Sequence, residues 1–375
     1  MDAWSRRTVL SGVASVLAGS PTNATAGQPL PLAADSLDTL ARAKGLRFGS
    51  EAGVEELTDA RYRAIVLAEC GVIVPGNELK WEATQPREHQ FAFFQGDWIA
   101  AFAHRHALLL RGHNLLSLRS MTVPYWVTRY HFGADGRKNA ERILTKHFTV
   151  ECKRYPQIRS WDVINEAIDR ETGLVREGVL TAAMGPEVID YAFHLAHEAA
   201  PQAQLVYNDY MSWNRSFAAH RQGVLRLLAD LRKRQVPVDA LGIQSHLGPR
   251  PNDTYPASAK QQETDWRKFL DEVAAMGYVM LITELDINDN ELGDARTRDA
   301  AAADYMRAYL DLTLSYRQVQ HVLTWGLVDK YSWQSHVHPR TDGLPNHPLP
   351  YGSNYRPKPL RQAIAAALRA APSRA

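Results

Sequence analysis

Two cysteines in 375 residues exclude a disulfide framework and a four-cysteine metal site. Cys70 follows an apparent helix and Cys152 lies within another, so both read as buried free thiols. A dominant charge sign is also missing. The 43 Lys and Arg residues face 41 Asp and Glu, which leaves no field to recruit nucleic acid or to hold the chain stably on an anionic membrane. A neutral partner such as a polysaccharide fits this balance better, and nine Trp with fifteen Tyr supply flat faces for sugar rings. No His-Glu-x-x-His is present. His104 and His106 are too close in sequence to share a helix face, and His336 and His338 read as surface residues of a loop, so neither a metal nor a cofactor is expected.

What the sequence does contain begins with Arg6-Arg7, a short mildly apolar run to about Ser20, and Ala24-Thr25-Ala26. These are the parts of a twin-arginine export signal, so residues 1–26 are expected to be removed and the mature chain to act in the periplasm or outside the cell. The apolar run is too short to span a bilayer. Residues 27–40 read as a linker, and 41–375 as one domain with no internal linker or repeat, expected to be a monomer.

From Leu46 the chain alternates apolar runs with amphipathic ones. Strands are expected near 46–50, 71–74, 107–112, 159–164, 204–208, 240–244, 279–283 and 321–325, with helices over 137–155, 186–199, 216–235, 257–276 and 297–316. Eight strands separated by helices predict an α/β fold, a single (β/α)8 TIM barrel with its site at the C-terminal strand ends.

Two of those strands end on carboxylates. Trp161-Asp162-Val163-Ile164 runs into Asn165-Glu166, and Val279-Met280-Leu281-Ile282 runs through Thr283 into Glu284-Leu285-Asp286. Paired carboxyl groups about 5–5.5 Å apart are the requirement of retaining glycoside hydrolysis, one as acid/base and one as nucleophile. Other strand ends contribute polar and aromatic residues to the same rim: Asn77 and Lys80, His113, Asn208-Asp209-Tyr210, Gln244 with His246, and Trp325 with Trp333.

The order Asn-Glu-x-Lys-Trp, Arg-Gly-His, Trp-Asp-Val-x-Asn-Glu, Gln-Ser-His, Ile-Thr-Glu-Leu-Asp and Trp-Gly-x-x-Asp-Lys-Tyr-Ser-Trp resembles glycoside hydrolase family 10, the endo-β-1,4-xylanases, from about Leu46 to Pro359. The resemblance implies endo-acting retaining cleavage of xylan or xylooligosaccharides, with Glu166 as acid/base and Glu284 as nucleophile. It implies that His246, backed by Asp286, hydrogen-bonds the nucleophile and keeps it ionised. Asn165 and Gln244 would address the sugar hydroxyl beside the reacting carbon and the nucleophile's surroundings. Asn77, Lys80 and His113 would bind sugars on the non-reducing side, and Trp325 and Trp333 would wall the reacting sugar, leaving room for xylose rather than glucose.

The chain departs from the family pattern twice. Gly76 stands where a sugar-binding glutamate is usual, and Asn114-Leu115-Leu116-Ser117-Leu118 replaces a run carrying a tryptophan and a second histidine. A weaker or differently selective subsite on the non-reducing side is therefore expected. Two other readings keep parts of the pattern: a β-1,4-glucanase with the same mechanism, or a carbohydrate-binding protein that has lost catalysis.

Overall fold

A computed structural model of the chain describes residues 33–119, 122–249, 257–293 and 297–374, and the expected export segment lies outside them. The strands are β1 (Arg47–Glu51), β2 (Val72–Val74), β3 (Leu109–Leu110), β4 (Gly112–Ser117), β5 (Ser160–Asn165), β6 (Gln204–Asp209), β7 (Ala240–Ile243), β8 (His246–Leu247), β9 (Val279–Ile287) and β10 (Val319–Thr324). All ladders among them are parallel, in the order β3-β2-β1-β10-β9-β7-β6-β5-β4, with β8 paired to β9.

Ten segments make eight staves. β3 pairs with β2 through Leu109 and Val72, β4 pairs with β5 through Gly112 and Trp161, and only Arg111 separates β3 from β4. One interrupted stave thus joins both edges and closes the ring. β8 likewise continues β7 after a break at Gln244-Ser245, where Ser245 takes a positive φ of 62°. The expected eight-strand (β/α)8 barrel is the architecture found.

These strands were legible because a parallel sheet covered on both faces needs apolar side chains on both. β2 and β7 are buried along their whole length, and β5 is too, although it carries Asp162. Helices fill the crossovers at Ala60–Glu69, Phe94–Arg105, Gly136–Arg154, Val188–Ala199, Ala218–Lys233, Ala257–Ala275 and Arg298–Thr313, and Pro359–Ala370 completes the set. In Val188–Ala199 the buried residues Val188, Ile189, Ala192, Phe193, Leu195 and Ala196 recur at helical spacing and form one stripe against the barrel. That helix starts two residues after Pro186, whose carbonyl accepts the Ile189 amide at 3.1 Å, so the proline sits in the turn before the helix and not in its first turn. Cys70 and Cys152 are buried and free, as expected.

The packed fold starts earlier than the sequence reading placed it. Leu37–Arg42 is a helix capped by Ser36, whose Oγ accepts the Thr39 amide at 3.2 Å, and Leu37 and Ala41 are fully buried. Asp38 then accepts Arg47 Nε at 3.0 Å and the Phe48 amide at 2.9 Å, tying this helix to β1. Six residues are too few to show a period, which is why 27–40 read as linker. Among the described residues, no helix is long and apolar enough to cross a membrane.

Glu69 fastens both ends of the fold. It accepts the Leu37 amide at 2.8 Å, Arg361 Nη2 at 2.9 Å and the Tyr351 hydroxyl, and both Glu69 and Arg361 are buried. Removing one partner of a buried charge pair leaves the other unneutralised. Arg361→Ala is therefore expected to lower unfolding free energy by about 3 kcal/mol, read from urea denaturation. A loss within the range of ordinary surface substitutions would show that Glu69 does not need its cation.

Candidate active site

At the C-terminal rim, Glu166 follows β5 directly and takes a left-handed φ of 54°. For a residue other than glycine that conformation costs about 1–2 kcal/mol, and the surroundings hold it. The Glu166 amide donates to the Asn208 carbonyl at 2.9 Å, and Arg176 Nε donates to the Glu166 carbonyl at 3.1 Å. This turn stops the stave and aims the carboxylate off the strand axis. Arg119 Nη1 donates to its Oε2 at 3.1 Å, and Gln244 Nε2 to its Oε1 at 3.2 Å. Arg119 is 45% exposed, and the Glu166 side chain 14%.

Glu284 lies within β9 and is buried. Asn208 Nδ2 donates to Oε1 at 2.8 Å, and His246 Nε2 donates to Oε2 at 3.2 Å. His246 and Asp286 are register partners of β8 and β9, so the ladder itself sets the imidazole Nδ1 2.9 Å from Asp286 Oδ1. Asp286 is fixed in turn by Trp333 Nε1 at 2.7 Å and Gln334 Nε2 at 3.2 Å. Burial pushes against the imidazolium, but the Asp286 charge and hydrogen bond, then Glu284, outweigh it and raise His246 to about 10. Burial would likewise raise Glu284. The His246 hydrogen bond and the charges of His113 and His246 overcome it and hold this carboxylate below its ordinary range.

His113 closes the other side. Its Nδ1 lies 2.8 Å from Asp162 Oδ2 and 3.9 Å from Glu284 Oε1, and Arg111 binds Asp162 with both terminal nitrogens. Arg111, Asp162 and His113 are all buried. Burial raises Asp162, yet Arg111 and His113 keep it below the usual carboxylate range. Trp325 packs edge-on to His113 at 5.2 Å between centroids, and Trp333 edge-on to His246 at 5.0 Å. On β2's flank Lys80 Nζ donates to Asn77 Oδ1 at 2.8 Å, with Asn77 exposed and Lys80 partly so.

The structure thus brings Glu166, Glu284, His246, Asp286, Asn165, Gln244, His113, Trp325 and Trp333 to one rim, with Asn77 and Lys80 on the flank where β2 ends. One assignment shifts. Gln244 reaches Glu166, and Asn208 is the amide that holds Glu284. Asn165 Oδ1 accepts Asn208 Nδ2 at 2.9 Å and Gln244 Nε2 at 3.4 Å, so three amides join the two glutamates in a chain. Asn208 stood on the expected rim, but its role rests on neighbours from two other staves. Thr283 Oγ1 donates to its Oδ1 at 2.7 Å, and a Cβ on Gly242 would lie 2.3 Å from that oxygen. Arg119 gave no signal beyond its charge.

This rim is the site of a retaining glycoside hydrolase. The model of glycosyl hydrolase family 10 matches residues 36–367, and the chain belongs to that family. It is 32% identical over 334 residues to endo-1,4-beta-xylanase A of Phanerodontia chrysosporium, covering 88% of this chain and 76% of the relative. Endo-1,4-beta-xylanase B of Thermotoga neapolitana is 29% identical over 338 residues, covering 88% and 90%. Among solved structures, native xylanase 10B of Thermotoga maritima aligns with TM-score 0.78 and 28% identity over 89% of this chain and 98% of that one. Xylanase 10B of Thermotoga petrophila RKU-1, in complex with xylobiose, aligns with TM-score 0.78 and 26% identity over 91% and 98%.

The His246 geometry links stability to pH. Its folded value of about 10 lies above the ordinary 6.5, so the contribution is complete below about pH 6.5 and is lost as pH rises through about 10. Tm measured across that window should fall more steeply in the native protein than in His246→Gln. Parallel slopes would mean that the imidazole is not held charged.

Proposed function

We propose that this chain is an exported, endo-acting β-1,4-xylanase that cleaves xylan or xylooligosaccharides by double displacement, with Glu166 as acid/base and Glu284 as nucleophile. The observation that carries this reading is the unequal environment of the two glutamates. Glu284 is buried, held below its ordinary range and bonded on both oxygens by donors. Glu166 faces the cleft with one oxygen on an exposed arginine. A nucleophile must be ionised and fixed, whereas an acid/base must reach the leaving oxygen and later a water.

In the first step Glu284 attacks the anomeric carbon while Glu166 gives a proton to the departing sugar oxygen. Arg119 is the partner that yields as that oxygen approaches Oε2, because Gln244 is buried and Arg119 is not. Forming the glycosyl ester removes the Glu284 charge, and His246 stays paired with Asp286. Glu166 then takes a proton from water, which attacks the ester and releases Glu284 with net retention. With its Oδ1 occupied, Asn165 has its amide nitrogen to donate to the hydroxyl beside the reacting carbon, a bond that helps most where it tightens in the transition state.

Xylan is favoured over a glucan by the walls at Trp325 and Trp333, which crowd the position where glucose carries its hydroxymethyl group. The relatives named above are xylanases, and one of the neighbours holds xylobiose. Asn77, Lys80 and His113 bind the sugars on the non-reducing side. No cofactor enters these steps. Export rests on Arg6-Arg7 and Ala24-Thr25-Ala26, and a single chain carries all the residues used.

The test is product release from xylan, xylooligosaccharides and a soluble cellulose derivative by the purified protein. Cleavage of the xylans with Glu166→Gln slower by about 10²–10⁴-fold, and Glu284→Gln at least as slow, is the expected result. Faster turnover of the cellulose derivative would make the chain a β-1,4-glucanase, and binding without turnover would make it a carbohydrate-binding protein.

A further inference from the structure

Gly76 leaves a space where the family pattern has a glutamate, and the structure fills that space from the neighbouring stave. Glu51 is the last residue of β1 and pairs in register with Val74 of β2, two residues before Gly76. A Cβ placed on Gly76 would lie 2.4 Å from Glu51 Oε1 and 3.0 Å from its Cδ, so the Glu51 carboxyl lies directly over the glycine. Its Oε2 lies 3.8 Å from where a Cβ on Gly326 would be, beside Trp325. The carboxyl therefore sits between the flank carrying Asn77 and Lys80 and the aromatic wall.

The other carboxylate on this flank is already used. Glu78 Oε1 accepts the Val54 amide at 2.9 Å and its Oε2 the Asn77 amide at 3.1 Å, which fixes it to the backbone. By contrast, among the described residues no group donates a hydrogen bond to either carboxyl oxygen of Glu51, although its backbone carbonyl accepts Tyr62 Oη and Ser50 Oγ. Both oxygens are therefore open to solvent and to a sugar hydroxyl that displaces it. Burial, then the charges of Glu56 and Glu78, raise this group well above the ordinary carboxylate value, with Lys80 opposing. Either form of a carboxyl accepts a hydrogen bond from a sugar hydroxyl.

We infer that Glu51 is a substrate-binding residue that supplies, from β1, the hydrogen bond to a sugar hydroxyl that a glycine at position 76 cannot make, and that it recognises the sugar one place to the non-reducing side of the reacting one. This rests on the xylanase reading above. The subsite is rebuilt, with its carboxyl moved across one inter-strand spacing. Gly76 and Glu51 are then mutually dependent, because a glutamate at 76 collides with Glu51, while removal of the Glu51 side chain leaves the subsite without its carboxyl. Gly76 is not among the residues with positive φ, so its backbone accepts a side chain.

The experiment compares an aryl β-xyloside, which cannot reach this subsite, with the aryl β-xylobioside, which fills it. Glu51→Ala should raise KM for the xylobioside about tenfold, as for one hydrogen bond to sugar removed, with a much smaller change on the xyloside and little change in kcat for either. Gly76→Glu alone should also weaken the xylobioside. Gly76→Glu with Glu51→Gly should recover most of the loss, and thermal melts establish that each variant is folded. Equal losses of Glu51→Ala on both substrates, or a double variant no better than the singles, overturns the inference and leaves the xylanase reading standing. No turnover of the xylobioside by the native protein overturns both.

Discussion

Keeping Glu284 ionised inside a buried rim is the constraint on which the site is built. A carboxylate removed from water favours its neutral form. The chain answers with a partly buried imidazolium that itself needs a counter-charge, which Asp286 provides. Each step hands the problem outward: Glu284 to His246, His246 to Asp286, Asp286 to Trp333 and Gln334. The chain of partners ends in neutral donors from the loop after β10, so the aromatic side of the rim also completes the charge balance of Glu284. Aromatic wall and electrostatics are one assembly.

A second assembly stands opposite. Arg111, Asp162 and His113 form a buried triad on β4, β5 and the residue that interrupts the β3–β4 stave. Isolated, any of them would be costly to bury; together they present a polar face toward Glu284 without adding net negative charge beside it. The interruption at Arg111 marks the point where the stave changes from pairing with β2 to pairing with β5: its amide donates to the Ile73 carbonyl of β2, and its guanidinium to Ser160 and Asp162 of β5.

Most of the barrel could be read from the sequence because its staves are buried on both faces and its helices on one, two patterns of different period. The positions of Glu166, Glu284 and Asp286 were legible because each closes or follows an apolar run, although β9 continues through Glu284 and Asp286 to Ile287, four residues beyond the expected end at 283. Residues whose role depends on a neighbouring stave were not. Asn208 reaches Glu284 because Gly242 vacates the path and Thr283 orients the amide, facts belonging to three strands. Arg119 meets Glu166 beyond a run whose large side chains are replaced by Ser117 and Leu118. Glu51 lies over Gly76 through lateral pairing, and sequence separation hides that proximity.

The helix Leu37–Arg42 enters just before β1 and is tied through Glu69 to the final helix, while Arg374 donates to the carbonyls of Val319 and Leu314 at the entrance of β10. Both places where the described chain begins and ends therefore lie at the pole of the barrel remote from the sugar cleft. A module fused after residue 374 would therefore be attached at that pole, away from the rim that carries Glu166 and Glu284.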